Sequence, residues 1–177
     1  MFLELEKNDL EAIRLYRLPS FNEIPDVGLY LNQCATYINR YLEPLFNITI
    51  TESMISNYVK KKLIDNPVKK QYSREMIAYL LFIALSKSVA SLDDIQLLIN
   101  IQKKKYSADI SYEFFKKEFE AILLSVFGLE NSKDHVGEEK TLEEELVGKI
   151  IVTIAHKLYV DKAFKVLSKD FQFLSTI

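Results

Sequence analysis

TESMISNYVKKKLI, residues 51–64, is the stretch on which the fold turns. Thr51 is a natural N-cap, and Met54, Ile55, Tyr58, Val59 and Leu63 then recur at helical spacing, so one face of the segment is apolar. The polar positions, Ser53, Ser56, Asn57, Lys60 and Lys61, include one continuous opposite face. That face is short and hydrogen-bonding at its start and cationic at its end.

Downstream, Asp65-Asn66-Pro67 is a turn signal, and Lys69, Lys70, Gln71 and Tyr72 complete a connection too short to be a domain linker. Ser73 then caps a helix in which Met76, Ile77, Leu80, Leu81, Ile83, Ala84 and Leu85 leave almost no polar face, which predicts a buried central helix. Ser91 opens another, with Asp93 and Asp94 in the first turn, where the helix dipole favours them, and Ile95, Leu98 and Ile99 behind. Upstream, Leu29, Cys34, Tyr37, Ile38, Tyr41, Leu42 and Phe46 predict a helix over residues 27–45, with Pro44 marking its end. A short helix around Leu10 and Ile13 is expected before a loop at residues 18–20.

Beyond residue 105, Phe114, Phe115, Phe119, Ile122, Leu123 and Val126 predict a helix over residues 111–127 closed by Gly128. Residues 130–140 read as a polar loop. A long helix follows from Thr141 to about residue 167, with Leu142, Leu146, Ile150, Ile154 and Leu158 four apart. Its stripe is the candidate dimer interface, and the phenylalanines, Phe164 among them, are expected to fill the core against it. The apolar end at Phe171 and Phe173 must dock on its own domain or on a neighbour.

The composition agrees with a helical chain. Of 177 residues 49% are hydrophobic and 27% charged, and 4 Gly with 4 Pro are too few for the turns of a sandwich, barrel or doubly wound sheet. The expected class is all-α, divided into an N-terminal segment (1–26), a central region (27–105) and a helical C-terminal region (106–177). One cysteine, Cys34, excludes an internal disulfide, and two histidines do not furnish a structural zinc site. A reducing, cytoplasmic setting is expected, with no metal and no cofactor. The start does not read as a signal peptide, and the apolar run around residues 78–85 is far short of a membrane span.

An enzyme is not expected. The chain has no glycine-rich phosphate loop, HExxH, GxSxG or CxxC; His135 stands in the polar loop and His156 beside an apolar stripe, where a partly buried structural role is favoured. The charge distribution points elsewhere. Residues 1–50 sum to about −3, residues 51–105 to about +5 and residues 106–177 to about −4, so a basic middle lies between acidic flanks. A local basic excess suits a phosphate-binding surface.

The order of these elements resembles the DNA-binding domain of MerR-type regulators. There a recognition helix ends in an aromatic, basic, Gly-Leu-Ile kind of phrase, a wing follows, and a Tyr-Ser pair caps the next helix. Here the phrases stand as Tyr58-Val59-Lys60-Lys61-Lys62-Leu63-Ile64, then Lys69-Lys70-Gln71-Tyr72-Ser73-Arg74-Glu75, then Ser91-Leu92-Asp93-Asp94-Ile95. The wing is reduced, and it lacks the glycine-rich, arginine-bearing turn of those regulators. Over its length, with Leu18-Pro19-Ser20-Phe21 ahead of these phrases, the chain is similar to the bacterial DUF1836 family, a domain of unknown function expected to carry a MerR-like helix-turn-helix.

The resemblance implies a MerR-like helix-turn-helix within a helical bundle, a double-stranded DNA partner, a transcriptional role and a homodimer. Ser53, Ser56 and Asn57 would then meet base edges, with Lys60, Lys61, Lys69, Lys70 and Arg74 on phosphates. Tyr58 and Tyr72 could add hydroxyl contacts, against a core role that is favoured for Tyr58 and evenly matched for Tyr72. The competing reading is a protein-interaction module that keeps the winged-helix shape without binding DNA.

Overall fold

The computed structural model describes residues 7–130 and 140–174; the side chains of Asp170 and of residues 172–174 are outside it. The expected polar loop around His135 therefore lies outside the described residues, and of Phe173 at the apolar end only the backbone is described. Among the described residues there are seven α-helices, a single 3-10 turn and a two-stranded sheet. In chain order these are α1 (Lys7–Leu15), the turn Phe21–Glu23, β1 (Leu29–Tyr30), α2 (Leu31–Phe46), α3 (Glu52–Lys60), β2 (Gln71–Tyr72), α4 (Arg74–Ser86), α5 (Leu92–Lys105), α6 (Ala108–Val126) and α7 (Leu142–Leu174).

The all-α expectation needs one amendment. Where the periodicity predicts helix from residue 27, Gly28 takes a left-handed φ of 77° and Leu29 and Tyr30 extend to pair antiparallel with Tyr72 and Gln71. The apolar positions of α2 are real, but glycine releases the chain into a strand before the helix begins. Pro44 lies inside the last turn of α2, and the helix ends at Asn47, which takes the left-handed cap that asparagine tolerates.

Three caps predicted from sequence form as hydrogen bonds. The Thr51 hydroxyl accepts from the Met54 N–H (3.2 Å), the Ser73 hydroxyl from Met76 (3.3 Å) and the Ser91 hydroxyl from Asp94 (3.1 Å), each satisfying an orphan donor at a helix start. At the other end of α6, Gly128 at φ 67° donates to the Ser125 carbonyl while Leu129 donates to Leu124, the paired bonds of a Schellman motif.

α4 is the centre of the core. Every residue from Met76 to Ser86 except Tyr79 is buried, and α2, α5, α6 and α7 all pack against it. α6 contributes a chain of rings, Phe82 to Phe115 to Phe119 and on to Phe46, with centroids 5.1, 5.5 and 5.7 Å apart. α7 runs in the same direction as α6: Tyr106, just before α6, bonds Glu144 near the start of α7, and Phe127, just after α6, stacks on Tyr159.

The predicted dimer stripe does not survive this packing. Residues four apart advance about 40° per step around a helix, so Leu142 and Leu158 stand about 160° apart. Ile154 and Leu158 are buried in the core, Ile150 is half-buried, and Leu142 and Leu146 are exposed. Phe164, expected in the core, is 64% exposed, and His156 is exposed, its Nδ1 2.8 Å from the Val152 carbonyl.

Candidate nucleic-acid interface

α2 and α3 are consecutive helices joined by residues 47–51, and Asn39 fixes their junction. Its side-chain amide donates to the Ile50 carbonyl (3.0 Å) and accepts from the Ile50 N–H (2.8 Å), pairing both backbone groups of a buried residue as a strand neighbour would. Sequence reasoning passed over Asn39. Its signal is a lone amide among the apolar positions of a helix.

On α3, Ser53, Asn57 and Lys60 are exposed and Ser56 is half-buried, all on the face opposite Ile55 and Tyr58. Tyr58 is 2% exposed and Tyr72 4%, so both rings are core elements, which resolves the open alternative for Tyr72 towards packing. Burial raises both phenols above the ordinary tyrosine value.

The end of α3 repeats the motif at the end of α6 with a different residue. Lys62 donates to the Val59 carbonyl and Leu63 to the Tyr58 carbonyl, both at 2.9 Å, and Lys62 takes the left-handed position with φ 60°. Gln96 of α5 braces this end from outside, its amide donating to the Lys61 and Lys62 carbonyls at 3.0 and 3.2 Å.

The segment expected as a reduced wing closes in a two-residue turn. Val68 and Gln71 exchange backbone hydrogen bonds (3.1 and 2.9 Å), and Lys69 and Lys70 between them have φ values of 50° and 65°. Positive φ at both central residues is the type I′ pattern, for which Asn-Gly is the preferred pair. Three lysines thus occupy backbone positions that lysine adopts at a cost.

The cations of the middle third divide into two sets. Arg74 is spent inside the fold: its Nε donates to the Ile24 carbonyl (2.7 Å), its guanidinium lies 3.8 Å from Asp26 and stacks 5.6 Å from the Phe21 ring centroid. This corrects its expected role on a phosphate; Arg74 fastens residues 21–26 to α4. Lys103 pairs with Asp65 (3.4 Å) and Lys105 with Glu143 (3.0 Å). Lys60, Lys61, Lys69 and Lys70, by contrast, are exposed and have no acidic partner among the described residues.

A further lysine was missed. Lys87, after α4, reaches within 4.0 Å of the Met54 sulfur in an open groove of about 390 Å³ that also includes Asn57, Tyr58, Ser91 and Leu92. Desolvation pulls its ammonium below the ordinary lysine value, and no acid among the described residues balances it. Cys34 is fully buried, and burial pushes its thiol up to about 12, which makes it an inert core residue. Among the described residues no three His, Cys, Asp or Glu side chains gather as metal ligands, and no helix is long and apolar enough to cross a membrane.

Residues 19–119, more than half of the chain, match the family model described as Domain of unknown function (DUF1836). The chain belongs to this family. The DUF1836 span takes in β1, β2 and α2 to α5 and most of α6, so it contains the whole candidate interface and none of α7. No curated protein and no solved structure matches the chain.

Proposed function

We propose that this DUF1836 chain is a non-enzymatic, sequence-specific double-stranded DNA-binding protein, a bacterial transcriptional regulator with a MerR-like helix-turn-helix. In this reading α2 and α3 form the helix pair and α3 enters the major groove. Ser53, Ser56 and Asn57 then face base edges, Asn57 being able to pair with adenine, while Lys60, Lys61, Lys69 and Lys70 hold phosphates on either side. The observation that carries it is the wing tip, where Lys69 and Lys70 stand unpaired in left-handed positions that Asn-Gly would fill with less strain. Lys87, unbalanced in a groove beside Asn57, adds to the same side of the argument. Two copies reading two half-sites would supply the affinity that one recognition helix lacks.

Titration of the full chain onto fluorescent duplex DNA at several salt concentrations tests this. Binding is expected to weaken steeply with salt. Lys60→Ala with Lys61→Ala should weaken binding to every duplex and flatten the salt slope by about 2, whereas Asn57→Ala should chiefly relax sequence preference. No binding at low salt removes DNA and leaves the interaction module.

A further inference from the structure

Beyond Leu158 no described side chain of α7 is buried, yet the helix continues to Leu174. Lys162 bonds Asp9 of α1, at 2.6 Å. The side of α7 turned away from the core is not polar. Leu142, Leu146, Val160, Phe164, Leu167 and Phe171 are all exposed, and at about 100° per residue they fall within one arc of roughly 60°. Ile151, Ala155 and Leu158, which seat α7 on the core, occupy the opposite arc.

Along this outer face, positions 146, 150, 153, 157, 160, 164, 167 and 171 alternate steps of four and three, the spacing of a coiled-coil seam. The seam is apolar at its two ends and polar in the middle, where Thr153 bonds the Lys149 carbonyl and Lys157 pairs with Asp161 (2.7 Å). The six exposed apolar side chains, at the two ends of this face, together leave on the order of 700 Å² bare, close to the roughly 800 Å² that one partner contributes to a stable interface.

We infer that the outer face of α7 is the seat of a second copy of this chain. This deepens the dimeric part of the proposed function without depending on DNA binding. A seam spaced by four and three residues is met along its length by a helix with the same spacing, which a second α7 supplies, and the bare apolar area is close to what one half of such a pair contributes.

The test is the molar mass of the purified full chain by light scattering, without DNA, over a wide concentration range. A dimer is expected, and Phe164→Glu with Leu167→Glu should convert it to a monomer whose helical content by circular dichroism is unchanged, because both side chains are exposed. A wild-type monomer at the highest soluble concentration overturns the proposal, as does a double variant that stays dimeric. DNA binding by a chain that proves monomeric would sink this inference and leave the DNA reading standing, and a dimer that ignores DNA would do the reverse.

Discussion

Arg74 and the pair Lys69-Lys70 lie within six residues of one another in a single basic stretch, and the fold treats them oppositely. Arg74 is half-buried, hydrogen-bonded to a carbonyl of the buried Ile24, and covered by a phenyl ring. The two lysines are exposed, unpaired and held in a backbone region that their own side chains disfavour. A cation with satisfied donors contributes to stability; a cation left bare at a strained turn contributes charge to the surface at some cost in stability. The difference teaches that a basic count over a segment mixes two populations that respond to different measurements.

Arg74 is where the contrast should break hardest. Arg74→Ala removes a charge-assisted hydrogen bond to a buried carbonyl and the cover over Phe21, and is expected to destabilise the fold by about 2 kcal/mol, lowering Tm by roughly 6 °C. Affinity for DNA under conditions where the variant is folded should change little. A variant with unaltered Tm and lost binding would place Arg74 in the interface after all.

The wing should respond in the other direction. Lys69→Asn with Lys70→Gly puts the preferred pair into a type I′ turn and is expected to raise stability by about 1 kcal/mol; if the two lysines hold phosphates as proposed, it also lowers the salt slope of DNA binding by about 2. Thermal unfolding and a salt titration of the same sample check both halves. A gain in stability with undiminished binding would show that these lysines are a solvated loop and nothing more.

What the sequence made legible follows from how local each cause is. The caps at Thr51, Ser73 and Ser91 are one-turn interactions between near neighbours, and they form where the pattern places them. The all-apolar stretch around Leu80 could only be a buried helix, because no side of it tolerates water. The misplaced features depend on partners far away in the chain. The fate of Arg74 is decided by Ile24 and Phe21, about fifty residues earlier, and the strand at Leu29 exists because Tyr72 is there to pair with it. The stripe of four on α7 misled for a geometric reason: two overlapping apolar patterns share that helix, one facing α6 and one facing outward, and periodicity alone did not separate them. For the candidate interface, the residue types and their face were readable, whereas the left-handed backbone at Lys62, Lys69 and Lys70 leaves no trace in a sequence that puts lysine where glycine or asparagine is usual.

The smallest effect concerns a charge used purely as a cap, the third way this chain spends one. Glu144 accepts from the Thr141 N–H (2.9 Å) while the Thr141 hydroxyl lies 3.4 Å from the Glu144 N–H, a reciprocal pair that starts α7. The hydrogen bond from the Thr141 backbone, followed by the Tyr106 hydroxyl and then by Thr141's own hydroxyl and Lys105, holds the Glu144 carboxyl below the ordinary glutamate value. A carboxyl whose pKa is lowered in the folded state stabilises above its unfolded value, and that contribution is lost as pH falls through the folded one. Glu144→Gln keeps an acceptor but removes the titration, so the variant is expected to be less stable than wild type at pH 7 by no more than about half a kcal/mol, the site being solvent-screened, and the gap is expected to close as pH falls through the folded-state value. Paired thermal melts across that range decide it. A difference that persisted at low pH would mean that Glu144 acts through the packing of its side chain against Tyr106 and not through its charge.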